Sequence, residues 1–306
     1  MTRLLTISAD PPRMETATPA AASPPPESPA RRAWLRLRGN RAALVALGFF
    51  VFAAAACFVG PVFLPGDYMT QNLALGPVSP CAEHWLGTDT LGRDLLARLL
   101  QGGQVSLHIG LVATAVSVVF GVAYGLAAGW LGGRSGGAMM YGVDVLNALP
   151  FTLFVILLTV VFGRELIWIY VAVGAVSWPN MARIVRNQTR LLKAQPFVEA
   201  SVCLGQRPAR IVTRHILPNL AGTIVVYATL TVPSVMLTEA FISFLGLGIK
   251  APMTSWGLLI KEGADVMEEY PWLLLFPGVV FSATLFALNF LGDGLRDALD
   301  PRSERQ

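Results

Sequence analysis

Gly133-Arg134-Ser135-Gly136-Gly137 has the Gly-x-Ser-x-Gly spacing of serine hydrolases and overlaps the Gly-x-Ser-Gly of intramembrane proteases. In a hydrolase that spacing works because a strand-to-helix elbow lifts the hydroxyl toward a base. Here it falls between two apolar runs, with no elbow, and reads as a flexible turn. His84, His108 and His215 lie in an external stretch, an apolar run and a basic loop. His108, alone on an apolar helix, is expected to bond a neighbour. No His, Cys and carboxylate cluster has metal-ligand spacing. The phosphate-cradling Gly-x-x-x-x-Gly-Lys-Ser/Thr pattern is absent, and the only lysines are Lys193, Lys250 and Lys261. Any ATP that drives this protein is therefore bound elsewhere. No catalytic residue, metal or cofactor is assigned.

Two acids fall inside apolar runs, where an ionisable side chain is by default a functional hypothesis. Asp144, near one helix end, reads as a structural or gating contact. Glu239 lies deeper, and two readings stand: it faces a translocation path, or it is a buried, hydrogen-bonded carboxyl. Asp89, Arg93 and Asp94 precede the second apolar run. The stretch 91–100 has apolar residues at 91, 95, 96, 99 and 100 with charges opposite, which predicts an amphipathic helix on the outer surface. It is either salt-bridged or open to an external partner.

The elements carrying these residues are membrane helices. Of the 306 residues, 54% are hydrophobic and 14% charged, with a mean hydropathy of +0.57. Soluble domains carry about 25% charge, which a water-facing surface needs and lipid rejects. A span needs about 20 mostly apolar residues, and six windows qualify: 42–64, 104–130, 139–162, 166–183, 221–247 and 272–292. Trp178-Pro179-Asn180 makes the fourth the weakest. Lys and Arg favour the cytoplasmic side. With both termini inside, the cytoplasmic segments hold 18 of the 23 basic residues and the external ones five. The net charge of +4 could suggest nucleic acid, but this distribution points to a membrane and no nucleic-acid partner is assigned. Residues 1–30, rich in Pro, Ala and Ser, predict a disordered cytoplasmic tail, followed by a transmembrane domain over 31–302 with an external segment at 65–103. Cys57, Cys81 and Cys203 fall in the membrane, outside and inside, so no disulfide is expected. Gly121, Gly125 and Gly129 share one face of the second span and invite close helix packing, within the chain or between subunits.

A basic cytoplasmic segment, 186–219, is too long for a turn and reads as two short helices. Pro196 suits the first turn of one and Gly205 its left-handed end. Pro208 opens a second and Pro218 stops it. Arg207, Arg210 and Arg214 share one face, with Ile211, Val212, His215 and Ile216 largely on another. That apolar face must bury itself, against a partner protein or on lipid headgroups.

Glu199-Ala200-Ser201, Gly205 four positions on, and Leu217-Pro218 resemble the cytoplasmic signature of bacterial ATP-binding-cassette importer permeases: Glu-Ala-Ala, three residues, Gly, nine residues, Ile, one residue, Leu-Pro. Every spacing holds. Ser201 replaces the second Ala and His215 the Ile. Three further runs look like the peptide/nickel branch: His84-Trp85-Leu86-Gly87-Thr88-Asp89 with Leu91-Gly92-Arg93-Asp94, Ser243-Phe244-Leu245-Gly246-Leu247-Gly248, and Gly292 through Pro301. Arg38-Gly39-Asn40-Arg41 resembles that branch's entry segment. Leu149-Pro150-Phe151, Val176-Ser177-Trp178 and Met181 through Arg186 are most similar to its oligopeptide members, of the second-permease type.

The resemblance, over about residues 35–302, implies an all-α integral membrane protein with six transmembrane helices, N-in/C-in, in the type I importer fold of the bacterial inner (plasma) membrane. It implies no ATP site in this chain. It implies as partners a homologous second permease, two cytoplasmic ATPase subunits, an extracytoplasmic peptide-binding protein and an oligopeptide cargo, with dipeptide, nickel chelate or glutathione as alternatives. Glu199, Ala200, Ser201, Gly205, Leu217 and Pro218 would form the ATPase-coupling element. A self-sufficient secondary transporter is the rival from another class. It would show inverted repeats and several charged or broken helices near the midplane, and no convincing inverted repeat is visible.

Overall fold

The computed structural model describes residues 29–63, 67–148, 150–163 and 166–299. The tail expected at 1–30 lies outside these apart from Pro29 and Ala30, which open α1 (Pro29–Gly39). Asn40 separates it from α2 (Arg41–Phe63), its side-chain oxygen accepting from the Ala43 N–H at 3.2 Å. α2 matches the first expected window. Its Val51, Phe52, Val62 and Phe63 are exposed, as apolar side chains facing lipid must be.

α3 (Leu95–Leu131) is 37 residues long, about 55 Å at 1.5 Å per residue, and far exceeds the bilayer core. The separate surface helix expected over 91–100 does not exist. Asp94 caps α3 by accepting from Ala97 N–H, so the helix begins at Leu95. The apolar face of that stretch, Leu95 and Leu99, is buried in the protein. Gly132 ends α3 at φ +62°, and α4 (Gly133–Ala148) follows at once. The Gly133 to Gly137 run is therefore the first turn of a helix, and not a flexible turn.

The third window is interrupted. α4 and α5 (Phe151–Phe162) are bent by 83° on either side of Pro150, whose ring forbids a regular helix through it. α6 (Leu166–Lys193) is apolar over its first half only, because Ser177 to Asn180 and Arg183 interrupt it. Among the described residues, four helices are thus long and apolar enough to span outright, and the bent pair makes five. The expected six is reached only by adding α6.

α7 (Pro196–Cys203) and α8 (Pro208–Ile211) form the cytoplasmic pair. Pro218 does not stop the second helix. A π-turn over 212–216 leads into α9 (Leu217–Phe244), giving one run from Pro208 to Phe244. The Leu217 N–H reaches back to the Val212 carbonyl. The widened turn makes room for a proline ring that would strike a regular helix. After α9 comes α10 (Trp256–Asp265), capped by Ser255, then α11 (Trp272–Leu299). Trp256 is fully buried among Leu99, Leu107, Met236 and Phe281. Its indole N–H donates to the Leu99 carbonyl at 2.9 Å.

α3 and α6 pack through the glycine face. A Cβ at Gly121 would stand 2.6 Å from Met181 Cβ, at Gly125 2.6 Å from the Ala182 carbonyl, and at Gly129 2.6 Å from Thr189 Cβ. The small-residue face is a contact within the chain. Overpacking such a contact costs about 1–3 kcal/mol. Gly125→Val is expected to lower the thermal midpoint of the purified protein in detergent by several degrees, whereas Gly137→Val, where no atom lies within 4 Å, shifts it much less. Equal shifts would show that the α3–α6 contact is not tight.

Candidate functional site

At the cytoplasmic end, sequence and geometry agree closely. Gln195 precedes Pro196 at the first position of α7. Leu204 closes the helix and Gly205 follows at φ +69°. The Gly205 N–H donates to the Val202 carbonyl at 2.9 Å and the Gln206 N–H to the Ser201 carbonyl at 3.2 Å. These two bonds form a Schellman cap, which requires the left-handed residue that glycine supplies.

Val198 and Ser201 point inward and are buried, while Phe197, Glu199, Ala200, Val202 and Leu204 are exposed. Ser201 Oγ donates to the Phe197 carbonyl at 2.9 Å. Its hydroxyl is satisfied within its own helix, so serine substitutes for alanine at little cost. Val198 packs with Leu126, Met181, Val185, Ile211, Ile216 and Leu220. The apolar face of the second helix is thus covered by α3, α6 and α9 of the same chain, and neither a partner nor headgroups are needed for it. Leu217 joins the edge of that cluster, and Pro218 is exposed on the first turn of α9. His215 is half-buried, and its Nε2 has no hydrogen-bond partner among the described residues.

The outer end carries two polar clusters. Asp89 Oδ1 accepts from the Leu91 and Arg93 N–H groups at 2.8 and 2.9 Å, and Oδ2 from Arg93 Nε and Arg98 Nη1 at 2.6 Å each. Arg98 also reaches Glu262 on α10 at 2.7 Å. His84 Nδ1 lies 2.9 Å from Asp94 Oδ2. Asp89, Arg93 and Arg98 are all buried. Four bonds to one carboxylate, with two guanidiniums beside it, compensate its removal from water.

The second cluster surrounds Glu239, which is 1% exposed. Ser106 Oγ donates to its Oε2 at 3.2 Å and Ser243 Oγ to its Oε1 at 2.8 Å. Ser106 Oγ in turn accepts from the Trp256 N–H at 3.1 Å. Of the two readings of Glu239, this geometry is that of a buried, hydrogen-bonded carboxyl, tying α9 to α3 and to the start of α10.

Asp144 pairs with Arg183 at 2.7 Å between α4 and α6, and His108 bonds the Tyr170 hydroxyl at 2.9 Å. The Ser243 to Gly248 run ends α9, with Gly246 at φ +74° and the Leu247 N–H donating to the Ile242 carbonyl. Sequence reasoning missed Ser106, Trp256 and the burial of Arg98. The signal for Ser255-Trp256 is a capping serine ahead of the short apolar run Trp256 to Ile260, too brief to separate from a loop.

The family model for binding-protein-dependent transport system inner membrane components matches residues 121–305. That for the N-terminal transmembrane domain of oligopeptide transport permease C matches 28–77. The oligopeptide transport system permease protein OppC of Escherichia coli (strain K12) is 49% identical over 269 residues, 87% of this chain and 89% of that one. OppC of Haemophilus influenzae is 44% identical over 86% of this chain and 85% of its own. The dipeptide permease DppC of Bacillus subtilis is 42% identical over 89% and 86%. Among solved structures, an inward-facing form of the MetNI methionine ABC transporter superposes with a TM-score of 0.56 at 19% identity. The superposition covers 66% of this chain and 96% of that chain, which is a likeness of fold.

The Asp89 cluster has a measurable signature. Removing one partner of a buried ion pair costs about 3–5 kcal/mol, and an exposed one about 0–1. Arg98→Met is expected to expose the 67–94 segment to trypsin and lower the thermal midpoint sharply. Glu262→Gln, on a side chain 41% exposed, is expected to do little. Matching mild effects would mean the cluster does not hold the outer segment.

Proposed function

This chain belongs to the binding-protein-dependent transport system inner membrane components, and we propose that it is the C-type permease of an oligopeptide importer, forming half of the translocation path and coupling it to partner ATPases. The observation that carries the reading is α7. A short helix stands at the basic, cytoplasmic end of the spans, anchored on one face by Val198 and Ser201 and bare on the other. Exposed Phe197 and Leu204 flank Ala200 on that bare side, and apolar side chains so placed need a protein to cover them. An ATPase subunit is that protein in this reading. Glu199, Ala200, Ser201 and Gly205 form the docking element, and Leu217 and Pro218 join it to α9.

α5 is compatible with a second permease. Leu153, Leu157, Val160 and Val161 are all exposed on it, with Val155 buried, an apolar face that a homologous subunit or lipid would cover. An extracytoplasmic peptide-binding protein would deliver the cargo from the outer side. Oligopeptide is preferred as cargo because the OppC relatives reach 49% identity. Dipeptide is the second reading, from the 42% identity to a DppC. ATP needs only to favour one of two states of the docked α7, because a ligand shifts an equilibrium by its differential affinity for the states.

Gly205 tests the coupling. No atom lies within 4 Å of a Cβ built there, so a side chain meets backbone strain within this chain and steric block only from a docked partner. The left-handed conformation costs a non-glycine residue about 1–2 kcal/mol, and asparagine less. Gly205→Arg is expected to reach the membrane in normal amounts and to abolish ATP-dependent peptide uptake in cells, with Gly205→Asn keeping a substantial part. Normal uptake by Gly205→Arg would remove the coupling role, and uptake by the isolated chain without ATPase subunits would replace the reading with a self-sufficient transporter.

A further inference from the structure

We propose that the cavity beside the break between α4 and α5 is a cargo subsite, taking an apolar side chain of the peptide in transit; this rests on the importer reading above. The cavity measures about 300 Å³ and is lined by Leu146 and Asn147 at the end of α4, Phe154 on α5, and Val176, Trp178 and Pro179 on α6. Sites for small molecules begin at about this volume and combine apolar walls with a few fixed polar groups.

Its depth and chemistry both fit a peptide. α4 ends about midway along the third apolar window, and irregular backbone at that depth is tolerated where it lines a cavity. Two irregularities meet there: the α4–α5 bend of 83° and Pro179 within α6. Proline has no N–H to give the carbonyl four residues back, and that carbonyl belongs to Ala175, which also lines the cavity. The Asn147 side chain is exposed and has no hydrogen-bond partner among the described residues. The carbonyls of the last turn of α4 have no intrahelical donors. The walls therefore offer hydrocarbon for a side chain, acceptors for peptide N–H groups, and an amide that can either give or receive. No charged side chain lines the cavity, so the fit is to a neutral, apolar residue within the peptide and not to a charged terminus or a metal chelate.

The test uses the assembled importer in proteoliposomes: this chain with its second permease, ATPases and binding protein. Uptake of tri-leucine and of tri-alanine is measured at saturating binding protein. Val176→Trp fills the cavity and is expected to lower the ratio of tri-leucine to tri-alanine uptake at least fivefold. Val176→Ala enlarges it and is expected to raise tri-phenylalanine uptake relative to tri-alanine. Asn147→Leu is expected to slow both peptides through loss of the amide. A folding or coupling defect scales all peptides alike, so reduced uptake with unchanged ratios in both Val176 variants overturns the subsite, as does wild-type behaviour of all three. A wild-type assembly that moves neither these peptides nor di-alanine and di-leucine refutes the importer reading itself, and the subsite with it.

Discussion

Val198 joins an apolar core built from the cytoplasmic ends of α3, α6 and α9, and the seating of α7 depends on that contact. It fastens a short helix that would fray alone to the core of the membrane helices. Leu126, Met181, Val185 and Leu220 belong to the spans, while Val198, Ile211 and Ile216 belong to the cytoplasmic pair, yet all seven form one core. In the coupling reading, a force on the bare face of α7 would be carried by packed side chains. It needs no flexible linker to reach the bilayer.

The outer half is held by a different kind of contact. Where the inner end relies on hydrocarbon, the outer end relies on Asp89 with Arg93 and Arg98, and on Glu239 with its serines. α10 is fastened twice, by Glu262 to Arg98 and by Trp256 to Ser106 and the Leu99 carbonyl. Buried polar groups are costly unless every partner is present, so these clusters fix one geometry in a way that interchangeable apolar contacts would not. Between the two ends, the glycine face of α3 lets α6 approach at backbone distance and joins the halves into one body.

Much of this was legible from residue order. α2 falls within a residue of its expected window, because a uniformly apolar run between arginine and a turn has one physical solution in lipid. α7 was bounded by Pro196 and Gly205, whose backbone requirements are local and therefore readable. The failures share a cause, which is that tertiary contacts altered what a local rule implied. The stretch 91–100 reads as a surface helix because nothing nearby in sequence shows that Asp89 folds back to meet Arg98. Pro218 looked like a stop because a π-turn that accommodates proline leaves no signature of its own. The third window looked continuous because hydropathy averages across Pro150 without registering the bend. α10 escaped because ten residues with a buried tryptophan resemble a loop until α3 and α9 are placed around them.

The continuous run from Pro208 to Phe244 has a mechanical corollary. At 1.5 Å per residue its 37 residues make a rod of about 55 Å, with its foot beside α7 and its head at the Glu239 cluster. A rod that rocks about its middle moves its two tips in opposite senses, each by about 5 Å for a tilt of about 10° at this length. In the importer reading, narrowing on one side of the bilayer and widening on the other would then be a single displacement, as on a seesaw. Opposed gates would follow from leverage, with no message relayed between them.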